Sequence, residues 1–200
     1  TCLIPLMGER DAAIEAATKS VHSFAPLYQA AWRRRFGEKR HLVFLEKDLG
    51  QTTKEPEFIV NQRPRSLLLC YGHRHLAGDQ PADAFKTDLD ALLDTIGKAP
   101  YDPIILVTPL PLNDSGQVGP WNPDGPRGKL VLTYAQACRE IAQRRGLAVI
   151  DLTAEALAYR AGKPTAFFMA QKDAASTYVS ASLDGGALVS LTLRKAWGME

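Results

Sequence analysis

The stretch SLLLCYG, residues 66–72, decides the fold of this 200-residue chain. Its apolar residues stand together without alternation, which is typical of a parallel strand covered on both faces, and Gly72 ends the run. A similar run, IILV at residues 104–107, is closed by Thr108 and Pro109. Both runs are therefore predicted as central strands of one sheet.

Helical patterns alternate with such strands along the chain. Residues 83–96 place apolar side chains on one face and end before Gly97, which predicts an amphipathic helix. The segment 111–129 contains four prolines and four glycines and is predicted as a long surface loop. Further strands are predicted at residues 42–45 and 147–150, and further helices at 11–19, 25–36 and 134–145.

This alternation predicts an α/β fold, a three-layer sandwich with a mainly parallel, flavodoxin-like sheet of about five strands. The chain is 46% apolar and 23% charged, as is ordinary for a globular protein. Two hundred residues suffice for one domain with a sizeable core, so residues 1–200 are predicted as a single domain.

Composition also excludes several functional classes. The net charge of +2 gives no overall attraction to nucleic acid or to anionic membranes. The basic run at residues 32–36 is interpreted as a solvated helix end, because acidic residues lie nearby. No apolar run approaches the ~18 residues of a membrane span. We therefore predict no nucleic-acid partner and no membrane. A cytosolic location is favoured, and a secreted mature form is the alternative.

The three cysteines, Cys2, Cys70 and Cys138, are scattered among apolar residues. Their odd number and unpaired spacing argue against a disulfide framework and against a CxxC metal site. They are interpreted as small core residues.

In open α/β sheets, ligands bind outside the carboxyl ends of the strands. That rule selects residues 8–11, 48–53, 72–79 and 108–114, and three of these segments contain glycine, which permits close backbone approach. Their joint placement predicts a ligand site.

Short blocks at these strand ends are similar to those of a known family. Gly8-Glu9-Arg10 follows the first apolar run, Gly50 follows the second, and Gly72-His73-Arg74-His75 follows the third. The arrangement resembles the SGNH (GDSL-like) hydrolases, especially the rhamnogalacturonan acetylesterase-like branch, which has Gly-Asp-Ser, Gly and Gly-His-Asn-Asp at those places. The resemblance implies an SGNH-type sheet with its site at the carboxyl edge.

The residues that perform catalysis in this family are replaced here. Arg10 stands where the family has its nucleophilic serine, and Arg74 where it has its oxyanion asparagine. The C-terminal Asp-x-x-His has no counterpart, since no histidine follows His75; if residues 177–180 are the equivalent stretch, Tyr178 takes the histidine's place. Arginine is permanently protonated and cannot act as the nucleophile. The resemblance therefore implies degenerate catalytic motifs.

Two arginines at one crevice would suit an anion, because each guanidinium can bind two oxygens. The alternative is that Arg10 and Arg74 pair with nearby acids such as Glu9, Asp11 or Asp79. The predicted ligand-binding residues are Gly8, Glu9, Arg10, Gly50, Gly72, His73, Arg74, His75 and Tyr178.

The histidines of the third block also suggest a metal site. In an extended segment His73 and His75 point the same way and could bind one metal ion with Asp79, but a third good ligand is missing. We predict neither a metal nor a cofactor. Trp121 and Tyr101 are interpreted as loop anchors, and stacking on a sugar ring is the alternative.

The sequence is compatible with three functions. The first is a non-catalytic relative that binds a small anionic or carbohydrate ligand, or a protein partner, in the old crevice. The second is a carbohydrate esterase with rearranged catalytic residues, for which Ser20, His22 and Ser23 are the candidates. The third is a structural subunit, because fold and function are separable.

Overall fold

The computed structural model describes residues 2–6, 34–35, 41–45, 67–97, 103–115, 119–171 and 179–199. The strands are β1 (Cys2–Leu6), β2 (His41–Leu45), β3 (Leu67–Cys70), β4 (Ile104–Val107), β5 (Ala148–Ile150), β6 (Met169–Gln171) and β7 (Val179–Ala181). The helices are α1 (His73–Ala77), α2 (Ala82–Ile96), α3 (Pro126–Arg145), α4 (Leu152–Gly162) and α5 (Leu183–Ala196).

A parallel sheet lies at the centre of the described chain. β3 pairs with β4 in parallel, with Leu67 opposite Ile104, and β4 pairs with β5 in parallel. The strand order β2-β1-β3-β4-β5 gives β3 and β4 a neighbour on each side, as their continuous apolar runs predicted. The α/β class, with a parallel sheet flanked by helices, is confirmed.

The parallel pairing covers fewer strands than the five or so that were predicted. β1 pairs antiparallel with both β2 and β3, with Leu3 opposite Leu68. The carboxyl end of β1, at Leu6, is therefore directed toward the amino end of β3. A short apolar run predicts a strand but carries no information about its direction, because the burial of its side chains is the same either way.

Helix α2 buries the apolar face that its spacing predicted. Phe85, Leu89, Leu93 and Ile96 are almost completely excluded from solvent. The polar side of α2 is joined to the end of α3, where Arg145 donates to Asp90 and to Asp94. Helix α2 is thus held by burial of its apolar face in the core and by ion pairs with α3 at the surface.

The segment 111–129 differs from the predicted surface loop. Leu112, Trp121 and Gly125 are buried, and α3 already begins at Pro126 rather than at Tyr134. Proline is tolerated in the first helical turn, since its missing N–H would have no partner within the helix there. The prolines and glycines of this segment therefore belong to a packed connection and the first turn of α3, and not to an exposed loop.

The residues after β3 also depart from expectation. His73–Ala77 form α1, a short helix, where an extended segment was assumed in considering a metal site. Helices α4 and α5 and the two-stranded sheet β6-β7 complete the described chain. Among the described residues no helix is both long and apolar enough to cross a membrane.

Candidate functional site

Gly72 is the turn between β3 and α1, at the carboxyl end of the central strand. Its φ of 102° lies in the region that side-chain-bearing residues rarely adopt. A Cβ atom there would lie 2.6 Å from Cε2 of Phe85, whose ring is fully buried. Backbone geometry and packing therefore both require glycine at this predicted site residue.

His73 joins the segments that follow β3 and β4. Its Nε2 accepts a hydrogen bond of 3.0 Å from the Leu110 N–H. The neutral ring then carries its proton on Nδ1, which faces Sγ of Cys70 at 3.9 Å. Burial lowers the pKa of His73 to about 3. The imidazole is thus neutral at physiological pH, and both of its nitrogens face protein partners.

The Cys70 and His73 pair does not form an activated nucleophile. Burial raises the pKa of the Cys70 thiol, so the group stays protonated at neutral pH. A catalytic cysteine requires the opposite shift, toward the thiolate. Cys70 and Cys138 are buried thiols that form no disulfide with each other, which agrees with the core interpretation, and the side chain of Cys2 lies outside the described residues.

His75 is held by partners different from those of His73. Its Nε2 lies 2.9 Å from Oδ2 of Asp88 on α2, and its buried ring packs edge-on against Phe85 and Tyr134. The two histidines therefore do not form the shared pair that an extended segment would present. In the described part of the chain no group of three metal-ligating side chains occurs.

Arg127, near the start of α3, makes several polar contacts at this end of the sheet. Its Nε donates to Oδ1 of Asp79 at 2.6 Å and its Nη2 to Oδ2 at 2.9 Å, a two-pronged ion pair. The Arg127 backbone N–H also donates to Asp114. The sequence analysis did not select Arg127. Its only distinguishing feature in the sequence is its position between Gly125 and Gly128, where α3 begins.

A second polar cluster joins the ends of β4 and β5. Thr108 donates to Oδ1 of Asp151 at 3.0 Å, and Arg139 donates to Oδ2 at 2.7 Å. Burial alone would raise the pKa of Asp151, but these bonds and the Ala154 N–H outweigh it and hold the pKa below its usual value. The carboxylate caps α4, and its contacts are those of a structural group.

The aromatic candidate Trp121 is an anchor of its loop. Its side chain is only 1% exposed and packs edge-on against Phe168. Its backbone donates to Ala166 and accepts from Arg160. A buried ring offers no face to a sugar, so the stacking interpretation of Trp121 is wrong; Tyr101 lies outside the described residues.

The predicted binding residues are only partly described. Gly72, His73 and His75 lie together after β3, as does the backbone of Arg74, whose side chain is not described. The remaining candidates, Gly8, Glu9, Arg10, Gly50 and Tyr178, lie outside the described residues.

Known proteins resemble this chain in structure. Axe2, an acetylxylan esterase from Geobacillus stearothermophilus, superposes with a TM-score of 0.63 at 15% identity, over 89% of this chain and 82% of that one. LAE5, an alpha/beta hydrolase from the metagenome of Lake Arreo, Spain, superposes with a TM-score of 0.66 at 18% identity, over 88% and 82%. Neither a protein-family model nor a curated protein matches the sequence. At these identities the likeness concerns the fold alone, and it agrees with the α/β architecture described above.

Proposed function

We propose that this chain is a non-catalytic relative of the SGNH hydrolases that binds a small anionic or carbohydrate ligand beyond the carboxyl ends of its parallel strands. The observation that supports the loss of catalysis is that the described histidine side chains are engaged in other contacts. His73 and His75 are engaged with Leu110 and Asp88, and no histidine follows them in the chain. A serine nucleophile needs a base to take its proton.

The ligand assignment is supported by the chemistry of the strand ends. Arg74 lies in the turn of helix that follows Gly72, at the edge where ligands bind in such sheets. Its guanidinium is always charged and suits the paired oxygens of a carboxylate, sulfate or phosphate. Arg10 was the second residue predicted for this ligand, but it follows β1, which runs antiparallel to β3 and ends at the opposite edge of the sheet from Arg74. The ligand assignment therefore rests on Arg74.

We expect the purified protein to hydrolyse short-chain aryl esters no faster than a matched protein blank. We also expect no labelling by a serine-directed fluorophosphonate, because His73 and His75, the histidines whose side chains are described, are engaged with Leu110 and Asp88. The measurement is an ester assay together with mass spectrometry after labelling, with an active acetylxylan esterase as the positive control. Stoichiometric labelling of one serine would contradict the proposal.

Arg74→Ala should weaken anion binding about tenfold or more, because it removes the guanidinium proposed to contact the ligand. Each charge-assisted hydrogen bond contributes ~1.5–3 kcal/mol, and ~1.4 kcal/mol is a factor of ten. Titrations with sulfate, phosphate and an acidic monosaccharide, followed by calorimetry and thermal shift, measure the loss.

A matched control for that titration is Arg144→Ala, which removes an exposed arginine that pairs with Asp90 on α2. If Arg144→Ala weakens binding as much as Arg74→Ala, the effect is one of net charge and Arg74 is not a ligand-binding residue. A neutral sugar added in parallel separates carbohydrate recognition from anion recognition.

A carbohydrate esterase with rearranged catalytic residues is the second candidate function. The observation that favours it is the likeness in fold to Axe2, which is an acetylxylan esterase. The fluorophosphonate experiment separates the two functions, because the esterase requires one serine that becomes covalently labelled.

A further inference from the structure

We infer that Arg127 is the positioning residue of the candidate site, the group that holds the segment after β3 against the segment after β4. The inference rests on the proposed function, since it concerns the same strand-end site. Arg127 itself belongs to neither segment, because it lies in the first turn of α3.

The contacts of Arg127 reach both segments at once. On the first, its guanidinium pairs with the Asp79 carboxylate and approaches the carbonyl oxygen of Ala77 at 3.4 Å. On the second, its Nη1 approaches the carbonyl oxygen of Asn113 at 3.5 Å, and its backbone N–H donates to Asp114 at 2.8 Å. One residue therefore connects two segments that follow different strands.

Because the Arg127 side chain is buried, water cannot replace its protein partners. The Arg127 side chain is 11% exposed, whereas that of Asp79 is 61% exposed. A buried guanidinium needs acceptors for its N–H groups, and the Asp79 carboxylate and the two backbone carbonyls supply them. Asp79 adopts a φ of 49°, an uncommon backbone conformation for a residue with a side chain, which the ion pair helps to hold.

A second bond joins the same two segments closer to the candidate ligand. The Leu110 N–H donates to Nε2 of His73, the residue that precedes Arg74. Ala77 ends the helix that His73 begins, and Asn113 lies three residues after Leu110. Arg127 and the His73–Leu110 bond thus connect the segment after β3 to the segment after β4 at two neighbouring points. Arg127 therefore controls the distance between these segments, and with it the position of the Arg74 backbone.

Arg145 supplies a matched control on the same helix. It also pairs with two carboxylate-bearing partners, Asp90 and Asp94, but these belong to α2. Losing it removes an arginine and its ion pairs from α3 without touching the segments after β3 and β4.

The experiment compares the wild type with Arg127→Met, Arg127→Lys and Arg145→Met by nitrogen-15 NMR of the His73 ring and the Leu110 amide. We expect Arg127→Met to shift both signals toward values without the His73–Leu110 bond, and Arg127→Lys to restore them in part. Sulfate affinity should fall about tenfold in Arg127→Met, which corresponds to one lost charge-assisted hydrogen bond. Arg145→Met should leave the signals and the affinity unchanged.

Asp79→Asn keeps the experiment decisive if Arg127→Met does not fold. Asparagine tolerates the left-handed backbone conformation, so this change removes the ion pair at little conformational cost. Unchanged His73 and Leu110 signals in both variants, or equal shifts in Arg145→Met, would overturn the inference. If the signals shift as expected but the wild type binds no sulfate, the positioning role stands and the anion-binding function fails.

Discussion

Gly72→Ala should destabilise the protein by roughly 4 kcal/mol. A residue with a side chain held at a φ of 102° is strained, which costs of order 1–3 kcal/mol. The new methyl group would also lie 2.6 Å from Phe85, and overpacking a core typically costs a further 1–3 kcal/mol. The Phe85 ring cannot easily move, because it stacks on Tyr134 with ring centroids 4.3 Å apart.

Gly146 is the matched control for this effect. It also has a positive φ, 66°, at the end of α3, but a methyl group there would meet no atom within 4 Å. Gly146→Ala should therefore cost only the conformational term, about 1 kcal/mol. Urea unfolding of both variants measures the difference, and equal losses would show that packing against Phe85 is not what requires Gly72.

The free energy of unfolding should decrease as the pH falls, because His73 resists protonation in the folded state. Burial lowers the pKa of this ring to about 3 in the folded state, while the unfolded chain titrates near 6.5. Below pH 6.5 the unfolded state therefore binds a proton that the folded state does not, and stability falls until the pH approaches 3. Between pH 7.5 and pH 5 the loss from His73 is at most about 2 kcal/mol, and less because the residue is only partly buried.

The variant His73→Gln isolates this contribution. Glutamine offers an oxygen near the position of Nε2 and so keeps an acceptor for the Leu110 N–H, but it does not titrate. Urea unfolding from pH 7.5 to pH 5 should show a shallower loss of stability in His73→Gln than in the wild type. Parallel pH profiles for the two proteins would mean that His73 is protonated as easily in the folded state as in the unfolded chain.

The described contacts at the strand ends are structural. Gly72, His73 and Arg127 each connect or shape the segments at the carboxyl edge of the sheet. Such contacts stabilise the scaffold whether or not a nucleophile is present. Function at this edge then depends on the side chains added to it, of which Arg74 is the leading candidate.

Much of the fold followed from local patterns in the sequence. The uninterrupted apolar runs of β3 and β4 predicted central strands, because only a strand covered on both faces is apolar throughout. The spacing of Phe85, Leu89 and Ile96 predicted the buried face of α2, because the helical period is a property of the backbone. Strand-end rules also selected the segment that begins at Gly72, although only the structure shows that this position requires glycine.

What the sequence alone determined were thus properties of single elements, namely their type, their buried face and where they end. The direction of β1, the helix at His73–Ala77 and the burial of Trp121 were decided by the tertiary structure. The role of Arg127 belongs to the same class, since its partner Asp79 lies far from it in the sequence. Periodicity reports how one segment meets its surroundings, whereas the choice of partner depends on contacts between segments that only the packed chain brings together.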